Sequence, residues 1–526
     1  MSRTRSLVAL ALVVLVLGAA LHATYGDTFV GMEPLYRGAH AEGSDDAYIT
    51  FRYARNLLEG HGPVFNPGER VEGYTNPLYT LLMLPLLAWG GDAGIYRLSV
   101  AATTACAIAA LFLFLAIVRE RLPDGAPGSA ALLFAATPSL WVAIASGLES
   151  ALVLAFQLAL WLGAERASDR PERRHLPWLL AGAVGAVLTR ADGFVFVGIV
   201  VAFLAARGRL RPAALTAAAL AVTLGAHVAW RLSYYGYPLP NTFYVKVSGP
   251  LFERILEGAK RLLRYGASYY PSLALYIAAL AWGVARALPT LRPAPARPLL
   301  PDGFRFELFL APALLAYWVY VGGDYFGDRF LLVLYPAGIL FLLERLSAVA
   351  AHRRDAVVAG LLVVQLGAFA WSPNLLWRSP RYDYWIELAA YLEERHDDPL
   401  LAIDAAGKVP FFTGWRTVDM LGLNDATIAH GTAESFRTPG HDKYDAEYVL
   451  SREPDLIAAW IQRNRDMKYG LDRERYEDAG YTLAWVMNAG LAPRDENVVD
   501  VRGATEAETQ RLFDEGYVYG VLARAE

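Results

Sequence analysis

Apolar positions along this chain come in long blocks separated by short polar, turn-rich or arginine-rich stretches. That pattern predicts membrane-length helices. The apolar runs fall at roughly 7–24, 94–117, 127–144, 148–164, 176–189, 193–206, 212–231, 271–287, 305–321, 329–344 and 355–372. The run 77–90 is also apolar, but it is short and closed by Gly90-Gly91, so it reads as an interfacial or re-entrant helix and not as a span. The loops alternate in charge. Arginines gather in every second one: Arg119 and Arg121; Arg166, Arg170, Arg173 and Arg174; Arg207, Arg209 and Arg211; Arg286, Arg292 and Arg297; Arg345, Arg353 and Arg354. By the positive-inside rule this gives eleven spans, with the N-terminus cytoplasmic and the C-terminus outside. The first run follows Arg3 and Arg5 as in a signal peptide and is read as an uncleaved anchor.

From about Pro373 the pattern changes. Strand-like pieces (LLAID, LIAAW, YTLAWVM) alternate with charged helical pieces (YWIELAAYLEERHDD, EAETQRLFDEG), and no run is long enough to span. The expected architecture is a polytopic α-helical membrane protein, residues 1–372, with a small extracytoplasmic α/β domain over 373–526. LRPAPARPLLP at 291–301 reads as a proline-rich cytoplasmic linker. Composition agrees: 55% of the 526 residues are hydrophobic and only 19% charged, too apolar for a typical soluble chain. A net charge of -4 gives no support to a nucleic-acid partner, and the single cysteine, Cys106, excludes a disulfide or cysteine metal site within one chain.

The candidate chemistry lies in the loops on the outer side. In the first, 25–93, the stretch from Ser44 to Pro77 opens a helix with Asp45 and Asp46, which Ser44 can cap. Asp45, Tyr48, Arg52 and Asn56 share one face of that helix, and Ile49, Tyr53 and Leu57 another. Asp45 is thus expected to look with Tyr48 and Arg52 toward an anionic ligand and to act as the general base ahead of Asp46, which stabilises the helix start or orients an acceptor. Glu72, Tyr74 and Asn76 follow in EGYTNP. Further loops bring Glu149 in SGLES; Arg190 and Asp192 in TRADG; Tyr234, Tyr235, Asn241, Phe243, Tyr244 and Lys246 in YYGYPLPNTFYVK; and Asp324 and Arg329 around Tyr325 and Phe326 in GGDYFGDR. Charges at membrane depth are costly unless paired or functional. Each also has a plain reading: Glu149 as a helix N-terminal acid, Arg190 with Asp192 as a turn pair, Tyr325 and Phe326 as interface anchors. There is no GxxxxGK[ST], no convincing dinucleotide fingerprint and no HExxH, and His61 stands alone. The acidic pair could hold a divalent cation, but nothing in the sequence requires one.

The run DDAYITFRYARNLLEGHGPVFNPGERVEGYTNPLY, with SGLES, TRADG, YYGYPLPNTFYVK, GGDYFGDR and IDAAGKVPFFTGWRTVDMLGLND, resembles membrane glycosyltransferases of the GT-C superfamily. It is similar above all to the branch with the actinobacterial terminal arabinofuranosyltransferases that use decaprenyl-phosphate arabinose. The resemblance implies a catalytic carboxylate in the first outer loop, at Asp45 or Asp46, and a place in the bacterial inner membrane. It also implies a polyprenyl-phosphate sugar as donor, with arabinofuranose one candidate, and a cell-envelope glycan or glycolipid as acceptor. Arg52, Arg190, Lys246 and Arg329 are then expected to gather around the leaving phosphate. Tyr48, Glu72, Tyr74, Asn76, Glu149, Tyr235, Asn241 and Asp324 are expected to line the substrates. Two other classes stay open: a lipid-linked sugar transporter or flippase, and a non-catalytic glycan-binding membrane protein.

Overall fold

The computed structural model describes residues 3–25, 44–122, 126–266, 270–291, 298–324, 327–371, 383–433, 436–489 and 494–525. Outside them lie several positions singled out above: all of 26–43 in the first loop, Arg292 and Arg297 with most of the proline-rich linker, Tyr325 and Phe326, and the domain boundary at Pro373.

The N-terminal part is helical throughout. Its helices are α1 (Arg3–Tyr25), α2 (Asp45–Leu58), α3 (Pro77–Arg121), α4 (Ala126–Ala135), α5 (Pro138–Ala145), α6 (Ser150–Asp169), α7 (Leu176–Thr189) and α8 (Gly193–Ala206). They continue as α9 (Leu210–Tyr234), α10 (Asn241–Lys246), α11 (Leu251–Arg264), α12 (Pro271–Ala287), α13 (Phe306–Val321), α14 (Leu334–Leu346) and α15 (Ala351–Trp371). One large apolar core joins α1, α3 to α8 and α12 to α14. The break expected at Gly90-Gly91 is present. Gly91 has a φ of 62°, and the arm before it runs end-on into the arm after it.

The run 127–144, expected as one span, is instead two helices meeting at 53°. Pro138 starts the second helix, and Thr137 before it is extended, because a proline ring disfavours helical geometry in the preceding residue. Among the described residues three helices are long and apolar enough to cross a bilayer, starting at Pro77, Leu210 and Pro271; the bent α4–α5 pair makes a fourth. Eleven is therefore more than helix length alone supports. Helices α7 and α8 have 14 residues each, or about 21 Å at the usual rise, less than a hydrocarbon core. Only 17% of the most apolar window of α9 is buried, an outward apolar surface that suits lipid.

The C-terminal part is a six-stranded mixed sheet in the order β2-β1-β3-β6-β4-β5, with β1 (Leu401–Ile403), β2 (Thr417–Asp419), β3 (Leu456–Trp460), β4 (Tyr481–Asn488), β5 (Val498–Asp500) and β6 (Tyr517–Arg524). The first three strands pair in parallel; β6 inserts antiparallel between β3 and β4, and β5 closes the far edge. The strand-like pieces LLAID, LIAAW and YTLAWVM are β1, β3 and β4. Of the two expected helices, α16 (Tyr384–Glu393) is capped by Asp383, and that over Glu506–Glu515 begins with a Thr505–Glu508 capping box. Separate apolar cores cover the two faces of the sheet. Two smaller clusters join this unit to the helices: Tyr48 and Phe51 with Phe411, and Ile49, Tyr53, Tyr74 and Tyr235 with Ala406.

Candidate active site

Helix α2 is wedged between α3 and the C-terminal unit, so each of its faces has a different neighbour. Ser44 stands at the N-cap, but its hydroxyl makes no capping bond. The Ser44 N–H donates instead to Ser146 O at 3.0 Å. That bond ties the helix start to the SGLES turn, where Gly147 (φ 75°) lies against Ala47 and Phe51. The face carrying Asp45, Tyr48 and Arg52 does not look toward the other cations. It packs on residues 407–415. Asp45 accepts the backbone N–H groups of Gly407 at 3.0 Å and Lys408 at 2.7 Å. Gly407 approaches the Asp45 backbone so closely that a side chain would not fit. Burial pushes the Asp45 carboxyl up to about 6, against the opposing pull of the Lys408 N–H and charge. Tyr48 lies edge-on to Phe411. Arg52 is buried and donates to Phe65 O (2.8 Å), Trp415 O (2.7 Å), Asn66 Oδ1 (3.2 Å) and Pro410 O. The expectation that Arg52 joins Arg190, Lys246 and Arg329 is corrected: its hydrogen-bonding capacity is taken up at the junction with the C-terminal unit.

Asp46 turns the other way. It is half-buried, and among the described residues its carboxylate makes no hydrogen bond or ion pair. One turn on, Thr50 bonds Asn76, which donates Nδ2 to Glu149 Oε2 at 2.9 Å. Glu149 in turn lies 3.6 Å from Arg190. Arg190 is held by Asp192 at 2.9 Å and sits 4.0 Å above the Phe330 ring, with Arg329 on the same ring at 5.6 Å. Both arginines line one cavity with Gln157, Tyr317 and Phe330. Arg329 pairs with Asp324 through Nε and, at 3.2 Å, through Nη2. Burial alone would raise the Asp324 carboxyl, but Arg329, with Lys246 and Arg190 further off, holds it below the usual range. Lys246 makes no hydrogen bond or ion pair among the described residues. Asp46 is close enough to act electrostatically on Arg329, and it acts together with Lys246 on His441 of the C-terminal unit. The structure thus gathers Asp46, Asn76, Glu149, Arg190, Lys246, Asp324 and Arg329.

The remaining expected residues form a separate cluster. Glu72 pairs with Arg231 at 2.8 Å, and burial raises its carboxyl to about 7 despite that charge. Tyr74 meets Tyr235, whose hydroxyl donates to Pro63 O at 2.6 Å; Asn241 N donates to Glu72 O at 2.9 Å. These contacts fix the 63–76 loop against α9 and α10. Sequence reasoning missed Arg231 and His227, two ionisable residues one helical turn apart on the same face of an apolar helix. It also missed the ion network at the opposite ends of the bundle, where Arg121 reaches Glu165, Glu307 and Glu344. Spacing within one helix says nothing of partners drawn from three others. Among the described residues no group of three or more His, Cys, Asp or Glu side chains is arranged to hold a metal ion.

The apolar helical bundle carries this charged cluster at one end, beside the small mixed sheet. The chain shares its fold with ArnT from Cupriavidus metallidurans bound to undecaprenyl phosphate, at a TM-score of 0.54 and 14% identity over 98% of this chain and 97% of that one. It also shares it with the oligosaccharyltransferase AglB from Archaeoglobus fulgidus in complex with an inhibitory peptide and a dolichol-phosphate (TM-score 0.55, 11% identity, 96% of this chain and 75% of that one). In sequence it is similar to the terminal beta-(1->2)-arabinofuranosyltransferase of Mycobacterium tuberculosis, 30% identical over 341 residues, which is 57% of this chain and 52% of the relative. The chain spans about half the length of that relative. Residues 375–501 match the model of a domain of unknown function, DUF8728.

Proposed function

We propose that this protein is an integral membrane glycosyltransferase that moves a sugar from a polyprenyl-phosphate donor to a glycan or glycolipid acceptor at the outer face of the inner membrane. Arabinofuranose is the first sugar to test, given the similarity to the Mycobacterium tuberculosis transferase. The observation that carries this reading is Asp46: a carboxylate with no partner among the described residues, set at the edge of a cluster of Arg190, Lys246 and Arg329. A general base must be available to the hydroxyl it deprotonates, and a phosphate leaving group needs positive charge where its own charge develops. Asp46 is therefore assigned as base ahead of Asp45, whose oxygens are occupied by Gly407 and Lys408.

In the proposed reaction the acceptor oxygen bonds to the anomeric carbon while the bond from that carbon to the phosphate oxygen breaks. The hydroxyl proton passes to Asp46, and the electron pair leaves with the polyprenyl phosphate. Lys246, unengaged among the described residues, meets that charge directly. Arg329 and Arg190 keep their carboxylate partners and add positive potential from behind. The wider reading includes eleven spans with the N-terminus cytoplasmic, and an extracytoplasmic unit from about 373. The test is incubation of the purified full chain with decaprenyl-phosphate arabinofuranose and other decaprenyl-phosphate sugars, followed by analysis of the glycan product. Transfer that Asp46→Asn abolishes supports the reading. Turnover unchanged by Asp46→Asn overturns the assignment of the base, and translocation of the lipid sugar without transfer overturns the enzyme reading.

A further inference from the structure

Helix α11 (LFERILEGAKRLLR) turns its apolar side away from the protein. At about 3.6 residues per turn, Leu251, Phe252, Ile255, Leu256, Ala259 and Leu263 share one face. On a soluble surface such a stripe packs on the core and the charges face water. Here Leu251, Ile255 and Leu256 are exposed, as are Phe252 at 76% and Leu263 at 73%. The charged side packs on the protein instead. Arg254 and Gly258 are buried, with the Arg254 guanidinium 5.2 Å from the Tyr320 ring. Glu253 Oε2 accepts Phe436 N at 2.8 Å, and Arg261 Nη2 donates to Arg437 O at 2.8 Å, so this side holds a loop of the C-terminal unit. The Phe436 ring in turn covers Gly322, at the end of α13, so closely that a side chain there would not fit.

Two neighbours fix the depth of the outward face. Gly258 sits on the last turn of α13: a Cβ there would stand 2.6 Å from Val319 O, and Trp318 Nε1 donates to Gly258 O at 3.1 Å. The other end of α11 runs into α12, where a Cβ on Gly266 would stand 3.4 Å from Ala274 Cβ. Helix α12 starts one of the spans long and apolar enough to cross a bilayer, and only 22% of its most apolar window is buried. Helix α11 therefore lies where one apolar helix ends and another begins, at the boundary of the hydrocarbon.

We propose that α11 is a lipid-seated strut. Its apolar face enters the boundary between headgroups and acyl chains, continuous with the lipid-facing side of α12, and its charged side carries residues 436–437. The bilayer thereby helps to hold the C-terminal unit against the helical bundle.

The experiment uses the full chain carrying Cys106→Ala, in phosphatidylcholine nanodiscs that hold one copy each. A spin label attached through Phe252→Cys is expected to meet oxygen dissolved in the acyl chains more readily than an aqueous nickel chelate. One attached through Arg463→Cys, exposed on the C-terminal unit, should show the reverse order. A label at 252 that meets the chelate as freely as the label at 463 overturns the proposal. Shielding that appears only with two copies per disc means that a second chain covers the face, and overturns it too. Replacing Phe252→Glu and Leu263→Glu together removes the apolar face and leaves Glu253, Gly258 and Arg261 in place. The Phe436 amide should then exchange about tenfold faster in nanodiscs, with β3 and β6 unchanged. Unaltered exchange at Phe436 overturns the proposal as well. Neither readout depends on sugar transfer, so a chain that transfers nothing counts against the glycosyltransferase reading and leaves the strut in place.

Discussion

Replacing Arg52 with methionine isolates the bond between the first loop and the C-terminal unit. The side chain is 1% exposed and donates four hydrogen bonds, two to carbonyls at 410 and 415 and two within 65–66, with its guanidinium 4.3 Å from the Phe65 ring. Methionine fills much of the volume but leaves three backbone carbonyls and one amide oxygen without this donor. Each of the four keeps a second donor, Asn56 Nδ2 at Phe65 O, Thr417 N at Asn66 Oδ1, Thr417 Oγ1 at Trp415 O and Gly414 N at Pro410 O, so each lost bond costs about 0.5 to 1.5 kcal/mol. Relief from burying a charge that has no carboxylate partner among the described residues offsets part of that sum. The expected loss is about 1.5 to 4 kcal/mol, concentrated at the junction and not in the sheet. In hydrogen exchange on the detergent-solubilised chain, amides of 407–417 and 63–66 should exchange roughly 10- to 10³-fold faster, with β3 and β6 unchanged. Arg52→Lys keeps the charge but not the fork, and should fall between. If exchange across 407–417 is unaltered in Arg52→Met, the brace is not there. If Arg52→Met folds normally yet loses donor binding outright, Arg52 belongs to the phosphate site after all.

Four further outcomes are expected. Asp46→Asn should reduce turnover about 100-fold or more without a matching loss of donor binding, whereas Asp45→Asn should act mainly on stability; equal activity of Asp46→Asn and wild type would refute the first. Lys246→Met should weaken binding of decaprenyl phosphate about tenfold or more, read by calorimetry, and unchanged affinity would remove Lys246 from the phosphate site. Asp45 binds its proton more tightly folded, at about 6, than at the ordinary 3.8. Its contribution is fully present below the lower value and lost as pH rises through the upper, so the melting advantage of wild type over Asp45→Asn should shrink between pH 4 and 7. Reporter fusions at the C-terminus and near Arg170 should report opposite sides of the membrane; the same side would refute the eleven-span topology.

What the sequence determined by itself is what depends on neighbours in the chain. The apolar runs, the break at Gly90-Gly91 and the strands LLAID, LIAAW and YTLAWVM follow from local period and turn chemistry. So does the sharing of one α2 face by Asp45, Tyr48 and Arg52. The bend at Pro138 was missed in reading 127–144 as one span, although a proline inside an apolar run marks a helix boundary. Only the tertiary structure decided which way each face points. A helical projection puts Asp45 beside Arg52, but it is Gly407 and Lys408, some 360 residues later, that claim the Asp45 oxygens and leave Asp46 within electrostatic reach of Arg329. Likewise, nothing near Glu72 announces Arg231. Hydrogen bonds and charges act through space over a few ångströms. The order of residues fixes such distances within a turn of helix, and only the packing of helices and sheet fixes them between segments.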